Sequence, residues 1–275
     1  DSDGDNGDNG DNGGSDTPVP RQHTLSYAEL DRRSNRLAHQ LRALGAGPGQ
    51  RVGLCCPRSL DLIISLLGIL KSGAAYIPLD PSYPAGRLVL MLDDAAPGLL
   101  LTRQSLLPLL PAGRPTLCLD RDAALIDQQP DTPLDPGNQP DDPIYIIYTS
   151  GTTGQPKGAQ VKHHSFSTLM HWYLREFAFN HDDRVLVISS SSFDLTQKNF
   201  YAPLMVGGQL YLPREGYDPE HYAALIEQHR ITTLNCAPSA FTPLLHVSGQ
   251  PSPQGHLGSL RQLILLQGQP GLRRA

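Results

Sequence analysis

Tryptophan occurs once, methionine three times and cysteine four times in 275 residues. Cys55, Cys56, Cys118 and Cys236 show no C-x-x-C spacing and no matching histidine pair, so neither a zinc site nor a disulfide scaffold is suggested. Cys55 and Cys56 lie in the apolar run Val52–Cys56, which points to small buried side chains in a reducing compartment. Long hydrophobic runs are also absent. The longest, Leu62–Leu70, is broken by Ser65 and falls short of the roughly 20 apolar residues a bilayer span needs. No targeting segment is legible, and the expectation is a cytoplasmic chain. Excess charge of one sign is missing from the body as well. The first sixteen residues hold six aspartates, and the rest carries 22 basic against 21 acidic side chains. A nearly neutral body has no general footprint for nucleic acid or an anionic membrane, so binding falls to local sites.

Residues 1–16 read DSDGDNGDNGDNGGSD, the composition of a disordered acidic linker. Asp1, Asp3 and Asp5 alternate as in a calcium loop, but the turn glycine falls at Gly7 and Asn12 stands where glutamate is needed. Beyond the tract, Ser26 and Glu29 form a capping box, and Leu30, Leu37, Leu41 and Leu44 keep one apolar face until Gly45. Strands are expected at Val52–Cys56, Ala75–Leu79, Leu99–Thr102, Thr116–Leu119, Ile144–Thr149, Val185–Ile188, Gln209–Leu212 and Ile231–Cys236. Further helices are expected at Ser59–Lys71, Arg87–Ala95, His163–Phe177 and Pro219–His229. This alternation predicts an α/β fold of mainly parallel sheets flanked by helices, with Pro130–Pro143 as an extended connector.

After the strand at Ile144 comes Thr149-Ser150-Gly151-Thr152-Thr153-Gly154-Gln155-Pro156-Lys157-Gly158. Glycine admits backbone N–H groups to a ligand, the hydroxyls add donors and Lys157 adds a point charge, which suits a polyphosphate. The spacing is not that of a Walker loop, and an ordinary solvated turn has the same composition. The carboxyl end of a strand in an open α/β sheet, where such sheets bind ligands, favours the phosphate reading.

Extended to Tyr148–Gly158, YTSGTTGQPKG, the loop resembles the signature of the adenylate-forming superfamily. Leu25–Leu30 (LSYAEL), Leu70–Asp80 (LKSGAAYIPLD) with Pro81–Leu88 (PSYPAGRL), and residues 193–196 (FDLT) are similar to further core motifs of adenylation (AMP-binding) domains of nonribosomal peptide synthetases, in the same order. The resemblance implies a partial adenylation domain over residues 17–275. It implies ATP-dependent activation of an amino acid as aminoacyl-AMP, with Mg2+, and transfer to a phosphopantetheine thiol on a peptidyl carrier domain beside a condensation domain. The acidic tract replaces the usual opening segment, and Leu266–Pro270 aligns with a Gly-Gly-Glu-like strand. The adenine-, ribose- and Mg2+-contacting motifs and the C-terminal subdomain with its catalytic lysine are then expected beyond the chain, and the piece by itself is expected to be inactive.

By the same resemblance, Thr149, Ser150, Thr152, Thr153 and Lys157, with Gly151, Gly154 and Gly158, hold the nucleotide phosphates, while Asp194 pairs with the substrate α-ammonium. Asp194 is equally a plausible helix N-cap. Lys198, four residues on, shares its helical face, and the family alignment places Leu195 and Asn235 beside the same pocket. A lysine and an asparagine there imply a polar or acidic substrate side chain; the plain alternative is an exposed Asp–Lys pair. Trp172, Met170, Leu169 and Phe177 are expected on the core face of their helix, His163 and His164 in solvent, and Tyr76 and Tyr83 in structural roles. A carboxylate–CoA ligase of the same superfamily and a catalytically silent nucleotide-binding module are the alternatives.

Overall fold

The computed structural model describes residues 23–150, 156–214, 216–248 and 257–265. The acidic linker and the Leu266–Pro270 segment lie outside them.

The first element, α1 (Tyr27–Ala43), starts where expected, with the Ser26 hydroxyl accepting from the Glu29 N–H. Strand β1 (Arg51–Leu54) leads to α2 (Leu60–Ser72), which is apolar nearly all round and capped at its start by Ser59. Gly73 ends α2 with φ +87°; a Cβ there would sit 2.3 Å from the Pro136 carbonyl oxygen and 2.9 Å from Pro48. The chain continues through β2 (Ala75–Pro78), α3 (Ala85–Ala95), β3 (Leu99–Thr102), β4 (Thr116–Cys118) and the short α4 (Ala123–Asp127). The proline-rich connector then crosses α1, where the Asn35 amide donates to the Asp131 carbonyl and Arg42 to those of Asp135 and Pro136. It delivers β5 (Pro143–Ser150).

Where a loop was expected, a strand follows: β6 (Pro156–Lys162) pairs antiparallel with β5 and precedes α5 (His163–Glu176). It is an edge strand with mostly exposed side chains, Lys157 and Lys162 among them, so it lacks the apolar alternation that reveals a half-buried strand. The second half adds β7 (Arg184–Leu186), α6 (Asp194–Val206), β8 (Gln209–Tyr211), α7 (Pro219–His229), β9 (Thr233–Cys236), α8 (Pro238–Ser248) and β10 (Gln262–Leu265).

These strands form two sheets. The first has order β4-β3-β1-β2-β5-β6, parallel but for β6; the second, β10-β9-β7-β8, is parallel throughout. One apolar core joins them, running from Leu37, Leu66 and Ile69 through Phe166 and Tyr173 to Val185, Phe200 and Ile264. Smaller cores lie beneath α3 and beneath α7 and α8. All four cysteines are buried and none forms a disulfide. Burial on both faces explains why most strands read as continuous apolar runs.

Two expectations about α5 are corrected. Met170 is buried, but Leu169 and Trp172 are each 37% exposed, and the indole stacks edge-on against Phe177. Helical phase decides this: the buried stripe runs Phe166, Met170, Tyr173, leaving their neighbours outside. His164 is exposed as expected, whereas His163 is partly buried.

Candidate functional site

Strand β5 has two different faces. Tyr145 and Ile147 enter the core shared by both sheets, while Ile146 and Tyr148 pack toward α3. The Tyr148 hydroxyl donates to Asp94 at 2.5 Å, anchoring the stem of the glycine-rich loop. Across the hairpin Thr149 faces Lys157 and Tyr148 faces Gly158. Thr149, Lys157 and Gly158 are all exposed. A side chain at position 158 would come within 3.0 Å of Ile146 and of the Tyr148 ring, so glycine lets β6 lie flat on its partner. Gly151, Thr152, Thr153 and Gly154 lie outside the described residues, as does the Ser150 side chain. Of the expected phosphate loop, Thr149 and Ser150 thus lie on β5 and Pro156, Lys157 and Gly158 on its antiparallel partner β6.

Asp194 is the first residue of α6 rather than its N-cap; that position is Phe193, which makes no side-chain cap. The Asp194 carboxylate is turned back to β5, where its Oδ1 accepts from the Tyr145 hydroxyl at 2.9 Å. Burial, reinforced by that carboxylate, pushes the Tyr145 phenol well above its ordinary range, so it remains a donor. A carboxylate in the first turn also suits the helix dipole.

The turn before Asp194 is fixed by the segment LKSGAAYIPLD. Ser190 donates to the Asp80 carboxylate and Ser192 to the Pro78 carbonyl at 3.3 Å. The Gln197 amide donates to the Ser191 carbonyl at 2.6 Å and accepts from the Tyr76 hydroxyl at 2.6 Å. Tyr76 in turn accepts from Tyr201 at 3.2 Å. The residues flanking FDLT are therefore hydrogen-bonded to a motif more than a hundred residues earlier in the chain.

Lys198 lies one turn beyond Asp194, but among the described residues no ion pair within 4.0 Å joins them. Its ammonium donates to the Leu195 carbonyl at 3.1 Å and stands 5.7 Å from the centre of the Tyr173 ring. Burial depresses its pKa to about 8, with the Asp194 charge opposing in part. The exposed Asp–Lys pair is thereby corrected: Lys198 is largely desolvated. Leu195 is half-buried beside it.

Asn235, on β9, is fully buried. Its amide donates to Asn199 at 2.9 Å and to the Tyr173 hydroxyl at 3.3 Å, while its own Oδ1 is buried without a partner among the described residues. Tyr173 links the two candidates, its ring facing Lys198 and its hydroxyl facing Asn235. Sequence reasoning singled out neither Tyr145, Tyr173, Gln197 nor Asn199. Only Tyr145 left a signal, since alternation along YIIY puts one tyrosine on each face of the strand.

Chemically, exposed donors on the hairpin stem suit an anion, the tethered Asp194 carboxylate suits a cation, and the polar cluster behind them suits a polar group. No group of three or more His, Cys, Asp or Glu able to hold a metal occurs among the described residues. Two surface depressions, one between α7 and α8 and one on the outer face of α5, contain none of these candidates.

A family model described as AMP-binding enzyme matches residues 11–272. Tyrocidine synthase 3 of Brevibacillus parabrevis is 39% identical over 231 residues, 82% of this chain and 4% of that protein. The dimodular nonribosomal peptide synthase of Bacillus subtilis (strain 168) is 38% identical over 90% of this chain and 11% of its own length. Among solved structures, a nonribosomal peptide synthetase, FmoA3, bound to alpha-methyl-L-serine-AMP superposes with TM-score 0.81 at 32% identity, over 88% of this chain and 27% of that one. The chain therefore spans only a small part of the relatives it matches.

Proposed function

Since this chain belongs to the AMP-binding enzyme family, we propose that it provides the phosphate- and amine-binding faces of an amino-acid-adenylating ligase in nonribosomal peptide synthesis. A carboxylate oxygen of the amino acid attacks the α-phosphorus of ATP. The bond from that phosphorus to the bridging oxygen breaks, and pyrophosphate departs with the electron pair. The phosphopantetheine thiol of a peptidyl carrier domain then attacks the acyl carbon, losing its proton to solvent as AMP leaves. Positioning and charge stabilisation supply most of the catalysis.

Thr149, Ser150, Thr152, Thr153 and Lys157 are assigned to the phosphates, with Gly151, Gly154 and Gly158 giving backbone access. Asp194 is assigned to the α-ammonium. Mg2+ would neutralise phosphate charge, and none of the described residues is assigned to it. Carrier and condensation domains of the same assembly line are the proposed partners and the cytoplasm the proposed compartment. No described helix is long and apolar enough to cross a membrane.

The observation that carries this reading is the hydrogen bond from β5, the strand leading into the glycine-rich loop, to the carboxylate that opens α6. A fatty or aryl acid brings no ammonium to such a carboxylate, which disfavours the CoA-ligase alternative. We further assign Leu195, Lys198 and Asn235 to the substrate side chain. A desolvated ammonium and an unpartnered amide oxygen favour a polar or acidic group over an aromatic one. ATP–pyrophosphate exchange by the enzyme carrying this chain, across the proteinogenic amino acids, tests both assignments. Asp194→Ala is expected to abolish exchange, and unchanged turnover would remove the anchor. A preference for Phe or Trp would end the side-chain assignment.

A further inference from the structure

We infer that Tyr145 is the positioning residue for Asp194: its hydroxyl holds one carboxylate oxygen and leaves the other for the ammonium of the amino-acid substrate. The inference rests on the proposed reading and goes one step further, to the group that aims the anchor.

Asp194 alone is poorly restrained. It is exposed, it opens a helix that has no side-chain cap, and no cation of the described chain lies within 4.0 Å of it. A carboxylate at such a position can rotate to its own helix's free N–H groups or to water. Tyr145 is the opposite case, at 1% exposure, on a strand paired on both sides. Its ring is locked by Tyr76, with centroids 5.5 Å apart, and by the edge of Phe166, also at 5.5 Å. Among the described residues its hydroxyl hydrogen-bonds only to Asp194. Burial and the adjacent carboxylate keep the phenol protonated, so the bond always runs from Tyr145 to Asp194. The fixed member of the pair thus dictates the place of the free one. Because Thr149 is four residues along the same strand, the anchor is also referenced to the phosphate hairpin rather than only to its own helix.

The test measures exchange by the enzyme carrying this chain, using the best substrate from the proteinogenic panel and the 2-hydroxy acid of the same skeleton. That analogue has the carboxylate but no ammonium. Tyr145→Phe retains the stacked ring. It is expected to raise KM for the amino acid about tenfold, the loss expected of a hydrogen bond to a charged group. kcat, KM for ATP and use of the hydroxy acid should change by less than about twofold, so discrimination between the substrates falls about tenfold. Tyr201→Phe removes a hydroxyl from the same cluster that does not touch Asp194, and should leave discrimination alone. In an Asp194→Asn background, Tyr145→Phe should have no further effect on discrimination.

Equal losses with both substrates, or unchanged discrimination in Tyr145→Phe, would overturn the inference while Asp194→Ala still abolished amino-acid exchange. Full activity of Asp194→Ala, or no exchange with any amino acid, would instead overturn the reading beneath it.

Discussion

The residue with the largest electrostatic strain among the candidates is Lys198. Its pKa falls from 10.5 in the unfolded chain to about 8 in the folded one. Below pH 8 both states hold the proton and the fold carries the full penalty of burying an ammonium. From pH 8 to about 9 the Lys198 site holds more protons in the unfolded state, so its contribution to stability rises with pH. From about pH 9 the thiols of Cys56 and Cys236, pushed up to about 12 by burial, oppose that rise as the unfolded state loses their protons, and above about 10 the buried phenols of Tyr76 and Tyr145 add to the reversal. Lys198→Met is therefore expected to stabilise the protein at pH 7 and to flatten the rise above pH 8. Each pH unit between the two pKa values is worth about 1.4 kcal/mol, which sets a ceiling of order 3 kcal/mol. Urea denaturation at a series of pH values checks it, and a parallel rise in the variant would show that other groups carry the dependence. An ammonium held by one carbonyl, with no ion pair among the described residues, fits a binding role better than a scaffolding one.

Among the elements, the turn from α2 to β2 is the least tolerant. Gly73 combines a left-handed backbone with a close approach to the Pro136 carbonyl, so Gly73→Ala meets both a φ penalty and a backbone clash. A loss of at least about 2 kcal/mol is expected, read as a lower denaturation midpoint at unchanged slope. A variant as stable as the parent would show that the connector yields freely. This stop signal was legible in the sequence, as were α1, α2, β3 and α7, because capping residues and apolar periodicity act locally. Strand β6 was not, because an exposed edge strand lacks the pattern that burial imposes. Nor were the contacts of Asp194 and Lys198. FDLT marks where a carboxylate stands, but its partner comes from a strand 49 positions earlier, and the cradle of Lys198 comes from α5. Asn235 could be placed on its strand, but its pairing with Asn199 and Tyr173 depends on how the second sheet packs against two helices.

For the molecule as a whole, one core spanning both sheets implies one cooperative unit. Trp172, the sole tryptophan, stacks at the end of α5, whose inner face contributes Phe166, Met170 and Tyr173 to that core. Its fluorescence and the far-ultraviolet circular dichroism are expected to report the same unfolding midpoint. Separate midpoints would show the second sheet melting independently. Sharing a core also means that the candidate phosphate hairpin and the candidate amine anchor, one on each half, are held at a distance set by packed side chains rather than by a flexible tether.

The alternating faces of β5 add a restriction on how that distance could ever change. Sliding the strand by a single residue would present the aliphatic Ile146 to Asp194 and bury the wrong half of the hairpin stem, so intermediate settings are forbidden. The ruler between the two candidate binding groups is graduated in steps of two residues, close to 7 Å, and an insertion or deletion of one residue in this strand would disarm the proposed anchor while leaving every residue of the candidate phosphate hairpin in the chain.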